Sequence, residues 1–143
     1  MYFDAAYIAK CYLNEPQAER VRSLAYKADA LCSCELARIE FSSVVHRHLR
    51  ERRLTPQDAN RVFQRFEEHA DGNLWQWLPI TADLIKETYQ SMKRLPKAVI
   101  LRTIDAIHLT CAKTNGFGEI YTNDRNLLVA AGYFDLKAQN VLD

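Results

Sequence analysis

Glycine and proline are scarce in this 143-residue chain, at four residues each. That leaves little room for flexible linkers and excludes a fibrous repeat. Cysteine is scarce too, with only Cys11, Cys32, Cys34 and Cys111. Cys32-Ser33-Cys34 is not a Cys-x-x-Cys motif, and no second pair completes a zinc site, so buried free thiols are the expected state. No apolar run approaches the roughly 18–20 residues that span a bilayer. Met1-Tyr2-Phe3-Asp4 lacks the basic and apolar regions of a signal peptide, so a cytoplasmic location is expected. An excess of one charge is also missing: 19 Lys and Arg stand against 18 Asp and Glu, a formal net charge of +1. This excludes a histone-like polybasic protein but says nothing against local patches. What is present is ordinary globular material, 48% hydrophobic and 26% charged, which excludes a disordered chain. The length suits one domain over residues 1–143, and no repeat, low-complexity tract or internal boundary interrupts it.

The chain alternates short apolar runs with amphipathic stretches. A very short strand, Tyr2-Phe3, ends at Asp4. A helix is predicted over Ala5 to Leu13, broken at Asn14-Glu15-Pro16, and a second over Gln17 to Ala28, with Ala18, Val21, Leu24 and Ala25 at helical spacing. Asp29 to Cys32 reads as a strand. Ser33 is a plausible N-cap for a helix from about Cys34 to Arg53, with Leu36, Ile39, Val44 and Leu49 as candidates for its buried side. Thr55-Pro56 starts a helix running to about Ala70, closed by Asp71-Gly72-Asn73. Leu74 to Leu78 reads as a strand, Thr81 caps a helix over Ala82 to Leu95, and Leu101 to Thr114 is the most apolar helix. Glu119-Ile120-Tyr121 is a strand, Arg125 to Ala131 a helix, and Asp135 to Val141 holds an edge strand. Strands alternating with helices imply an α/β fold, a parallel sheet with helices on both faces.

Four acids stand out. Asp4 and Asp124 each follow a strand, where open α/β sheets bind ligands. Each also precedes a helix, so a plain N-cap is the competing reading. Asp105 lies inside an apolar helix. Glu40 has Leu36 and Val44 four residues to either side, on its own face, although a solvated helix glutamate is the competing reading there. If the four converge, their mutual repulsion demands a cation. Carboxylate oxygens suit Mg²⁺ or Mn²⁺, and such an ion activates water and stabilises charge on a phosphoryl group. That chemistry points to phosphodiester hydrolysis.

Four segments carry a family resemblance: Tyr2-Phe3-Asp4-Ala5-Ala6 with Leu13-Asn14-Glu15-Pro16; Glu35-Leu36-Ala37-Arg38-Ile39-Glu40; Leu101-Arg102-Thr103-Ile104-Asp105-Ala106-Ile107-His108-Leu109; and Tyr121-Thr122-Asn123-Asp124-Arg125-Asn126-Leu127. In order and spacing they resemble the acidic motifs of PIN-domain proteins, and among these the VapC-like toxin ribonucleases of toxin–antitoxin pairs. The resemblance implies a three-layer α/β/α sandwich around a mainly parallel sheet. It implies Mg²⁺- or Mn²⁺-dependent cleavage of RNA, a homodimer and inhibition by a cognate antitoxin. By position it makes Asp4, Glu40, Asp105 and Asp124 the metal-binding and catalytic acids, and Thr122 and Asn123 polar neighbours of the last acid. One departure is Ala6, where relatives often carry a small polar residue.

The remaining candidates are secondary. His108 shares a helix face with Asp105 and reads as a satisfied core histidine or one just behind the site, with ligand or proton shuttle as the other reading. Arg102 and Arg125 are candidates to hold the RNA backbone. The stretch Arg47, Arg50, Arg52 and Arg53 either holds phosphate or is a solvated helix end. His46 and His48, two apart on a helix, make a poor metal pair. Trp75 and Trp77 face the same way on a strand and read as core or interface packing, with stacking on bases as the other reading. Two rival functions accompany the nuclease reading. One is a catalytically weak or inactive PIN-like module that binds protein or RNA, motivated by Ala6. The other is a phosphohydrolase with an aspartyl-phosphate intermediate, which Ala6 argues against because that chemistry starts from an Asp-x-Asp pair. With four of the 18 acids in one crevice, the 19 bases make the rest of the chain mildly basic.

Overall fold

A computed structural model describes residues 1–143. The N-terminal segment is the centre of the sheet although only two residues take part. Tyr2 bridges in parallel to Cys32, and Phe3 bridges in parallel to Tyr121. The ladder is Cys32 N–H to Met1 O at 2.8 Å, Phe3 N–H to Cys32 O at 3.0 Å, Tyr121 N–H to Tyr2 O at 2.9 Å and Asp4 N–H to Tyr121 O at 3.1 Å. On one side β1 (Leu31–Cys34) pairs in parallel with β2 (Trp75–Leu78), Leu31 opposite Trp75. On the other side β3 (Glu119–Tyr121) pairs in parallel with β4 (Lys137–Gln139). The spatial order is therefore β2, β1, residues 2–3, β3, β4, all parallel.

Successive side chains of a strand point to opposite faces, and each face is covered by helices. Phe3 joins one core with α1 (Ala5–Tyr12), α2 (Ala18–Ala25), α3 (Leu36–Arg50) and α4 (Pro56–Asp71), through Ile8, Val21, Phe41 and Phe66. Tyr2 joins the other with α5 (Ala82–Arg94), α6 (Thr103–Thr114) and α7 (Arg125–Ala130), through Leu84, Leu109 and Leu127. This is the three-layer α/β/α arrangement expected from the sequence. All four cysteines are unpaired. No helix is long and apolar enough to cross a membrane.

Several boundaries differ from the sequence reading. The strand placed at Asp29 to Cys32 runs from Leu31 to Cys34, because its register is set by Met1 to Phe3 and by β2. Ser33 is consequently a buried strand residue whose hydroxyl donates to Phe3 O at 2.7 Å, not an N-cap. The following helix α3 begins at Leu36 with no side-chain cap and ends at Arg50. Its buried stripe is Ala37, Phe41, Val45 and His48, while Ile39 is exposed. The row Leu36, Glu40, Val44 and Arg47 forms a separate wall facing a cleft. Helix α2 is shorter than expected at both ends: Gln17 takes a left-handed conformation with φ of 60° ahead of it, and Tyr26 closes it after Ala25. Thr55 and Thr81 cap α4 and α5 as the sequence indicates. Trp75 and Trp77 stack with centroids 5.8 Å apart.

One buried polar cluster braces the α1–α2 turn against α3. Glu15 accepts from Lys10 Nζ at 3.0 Å and faces His48 Nε2 at 3.1 Å. The Lys10 and His48 side chains are only 8% and 6% exposed. Removing the shared carboxylate leaves His48 Nε2 without its partner and Lys10 Nζ with only Pro16 O, at 3.3 Å, which is costly. Glu15→Ala is expected to lower the unfolding free energy by about 2–3 kcal/mol in urea titrations. A change below about 0.5 kcal/mol, the scale of exposed pairs, would contradict this role.

Candidate active site

The winding reverses at residues 2–3, which have β1 on one side and β3 on the other. Such a switch point opens a crevice beyond the carboxyl ends of the strands. Four segments deliver an acid into it. Asp4 leaves the central segment, Asp124 follows β3 and starts α7, Glu40 sits on the first turns of α3, and Asp105 lies in the first turn of α6. A cleft of about 490 Å³ is lined by Asp4, Glu40, Asp105 and Asp124, together with Ala6 and Arg102. Asp4 and Asp105 are buried and Glu40 and Asp124 are half-buried.

For Asp4 and Asp124 the cap and the site coincide. Asp4 Oδ1 accepts from Tyr7 N–H at 2.9 Å, and Asp124 Oδ1 accepts from Asn126 N–H at 2.8 Å and Leu127 N–H at 3.2 Å. Each cap bond uses only Oδ1. Thr122, fully buried, ties the two acids together. Its hydroxyl donates to Asp4 Oδ2 and accepts from Asp124 N–H at 3.0 Å. Burial raises the Asp4 carboxyl from 3.8 to about 6, the Thr122 and Tyr7 bonds and His108 oppose the rise, and the Glu40 charge adds to it.

Behind Glu40 lies a buried relay. His108 Nε2 stands 2.7 Å from Glu40 Oε2, and its Nδ1 stands 2.9 Å from the Tyr2 hydroxyl, which also accepts from Cys34 N–H at 3.2 Å. Burial disfavours the charged imidazole, but the Glu40 hydrogen bond and charge, with Asp4 behind them, outweigh it and raise the His108 pKa. Which ring nitrogen carries a proton depends on the charge state; with both protonated, Nε2 donates to Glu40. His108 thus orients Glu40 from the inner wall of the cleft.

Arg102 is placed differently from its sequence assignment to RNA. Its Nε donates to Asp105 Oδ2 at 2.7 Å, and its Nη2 donates to Asp105 Oδ1 at 3.2 Å and to Asp124 Oδ2 at 3.1 Å. No three acidic, histidine or cysteine side chains stand close enough to share one ion in this arrangement. A guanidinium already bridges two of the four acids. Four carboxylates are hard oxygen donors of the type that Mg²⁺ and Mn²⁺ take. The donor chemistry therefore fits such an ion.

Asn123 and Arg125 flank Asp124 in sequence but not in the cleft. They line a separate polar groove with Lys10, Gln17 and Asn140, because the turn that starts α7 points neighbouring side chains apart. Sequence reading undervalued Arg47. It lies on Glu40's face of α3 and lines both the acidic cleft and an adjoining groove with Ser42, His46 and Arg50. The signal was its spacing of seven from Glu40, two helical turns along one face.

The sequence model of the PIN domain family matches residues 1–133. No curated protein matches the chain. Among solved structures, the chain is similar to VapC20 of Mycobacterium tuberculosis, described as a Sarcin–Ricin loop cleaving toxin. That match has a TM-score of 0.71 at 16% identity, covering 95% of this chain and 98% of that one. It is likewise similar to the structure of FitAB bound to an IR36 DNA fragment, with TM-score 0.71 and 16% identity, covering 99% of this chain and 95% of that one. At such identities these likenesses speak for the fold, a parallel α/β sandwich. With a family match over nearly the whole chain, they lead to one assignment: this chain belongs to the PIN domain family.

Proposed function

We propose that the chain is a Mg²⁺- or Mn²⁺-dependent endoribonuclease, the toxin component of a toxin–antitoxin pair. The observation that carries this reading is the convergence of Asp4, Glu40, Asp105 and Asp124, from four separate segments, on one cleft at the switch point. These four are the proposed metal-binding and catalytic acids. When bound, the divalent ion supplies a Lewis acid that activates water and offsets charge on the phosphoryl group. The protein's own part is positioning. Thr122 fixes Asp4 against the Asp124 backbone, and His108 holds Glu40 from behind. The fold likeness to a toxin described as cleaving the Sarcin–Ricin loop supports RNA as the substrate. A cognate antitoxin and a homodimer are proposed on the same family grounds.

Arg47 and its groove give the RNA backbone a path beside the acids. Phosphate contacts by Arg weaken with salt, because binding releases counterions. Arg47→Gln is expected to weaken RNA binding several-fold and to reduce the slope of log affinity against log salt by about one contact. Filter binding over a salt series measures this, and an unchanged slope would remove Arg47 from the path.

Ala6 favours a second reading. It places a methyl group in the cleft wall where relatives often have a polar side chain. A protein that binds RNA or a partner without cutting is that alternative. Cleavage of RNA by the metal-loaded wild type, lost on chelation, decides between the two.

A further inference from the structure

We propose that Arg102 is a resident counter-ion, which clamps Asp105 and Asp124 together in the ion-free protein and surrenders them to an entering divalent cation. This rests on the metal-nuclease reading above. Two carboxylates from separate elements, one at the third position of α6 and one at the start of α7, need a nearby cation. The guanidinium meets that need with three charge-assisted bonds, two of them a fork on Asp105, a geometry lysine cannot reproduce.

The clamp is built to open. Arg102 is the last extended residue before α6, with ψ of 155°. Its side chain is 68% exposed, whereas that of Asp105 is 5% exposed. The guanidinium therefore approaches from solvent and leaves by rotating outward, with no core contact broken. Such solvent-side ion pairs are individually weak, so a divalent ion bound to the same oxygens displaces it. Co-occupancy is disfavoured because the two cations would sit against each other across shared carboxylate oxygens. Once released, the guanidinium is tethered at the cleft mouth, with its fork free for a substrate phosphate. The linkage is reciprocal: whatever holds Arg102 on the acids weakens ion binding by the same factor.

Two readouts on the full-length chain test this without using activity. The Arg102 Nε–H resonance, assigned by its loss in Arg102→Lys, is followed by nitrogen-15 NMR during a Mg²⁺ titration. It is expected to shift or broaden as the bond to Asp105 is lost; an unmoved resonance at saturating ion overturns the proposal. Calorimetric Mn²⁺ affinity is expected to be at least about fivefold tighter in Arg102→Gln than in the wild type. Equal or weaker binding in Arg102→Gln overturns it, as does the absence of binding in both proteins. An ion that binds with exchange of Arg102, yet leaves RNA uncut, supports this inference while removing the nuclease reading.

Discussion

Asp4→Asn is expected to reduce RNA cleavage by about 10³-fold or more, the scale set by losing a group that stabilises transition-state charge, while making the ion-free protein more stable. The two effects share one cause. Asp4 is fully enclosed, and burial raises its carboxyl from 3.8 to about 6 despite the Thr122 and Tyr7 bonds. Its ionised form at neutral pH therefore costs on the order of 2–3 kcal/mol. The sign follows from proton linkage. The folded state binds this proton more tightly than the unfolded chain, so the stability it brings is full below 3.8 and is lost as pH rises through about 6. Asparagine keeps the acceptor for Tyr7 N–H without the charge. At pH 8 with chelator the variant is expected to gain about 1–2 kcal/mol, or about 3–6 °C in thermal midpoint, with the gain shrinking toward pH 4. A variant less stable than wild type at pH 8 would contradict this account of Asp4. Function at the expense of stability is the common pattern where charges are gathered for chemistry.

Mn²⁺ at about 100 times its dissociation constant is expected to stabilise the wild type by about 2.7 kcal/mol, about 5–10 °C in midpoint. An ion that binds only the native state must act in this direction. The gain is expected to grow from pH 5 to pH 8, because the ion takes the ionised Asp4 that burial otherwise disfavours. Asp105→Asn, which keeps the shape of the cleft but removes one charge, is expected to lose more than half of it. Differential scanning fluorimetry with and without Mn²⁺ measures both. No shift in the wild type would favour the non-cutting module over the nuclease.

The chain makes part of this site legible and hides part of it. Asp4 is readable because it directly follows a short apolar run, and Asp124 because it stands three residues past the strand ending at Tyr121; position after a strand is local information. Glu40 is readable from Leu36 and Val44 four residues to either side, and the cleft wall runs along that row. The core face of α3 is not readable that way. Ala37, Phe41, Val45 and His48 bury while Ile39 is exposed and Leu49 packs against the core only partly buried, and a helix with two apolar rows does not say which one faces the core. Ser33 illustrates the cost of local rules: a good capping residue became a strand residue because Met1 to Phe3, thirty positions away, set the register. Arg102 was visible as a basic residue near an acid, but its fork onto Asp105 and Asp124 joins residues 22 apart. Lys10, Glu15 and His48 likewise meet only because α1 packs on α3.

The most direct measurement is single-turnover cleavage of a structured RNA by wild type, Asp4→Ala and Asp105→Ala, with Mn²⁺ and with chelator. The account predicts cleavage by the wild type with Mn²⁺ alone, and background rates in both variants and in chelator. Equal cleavage by all three proteins, or cleavage by the wild type that persists in chelator, would contradict it.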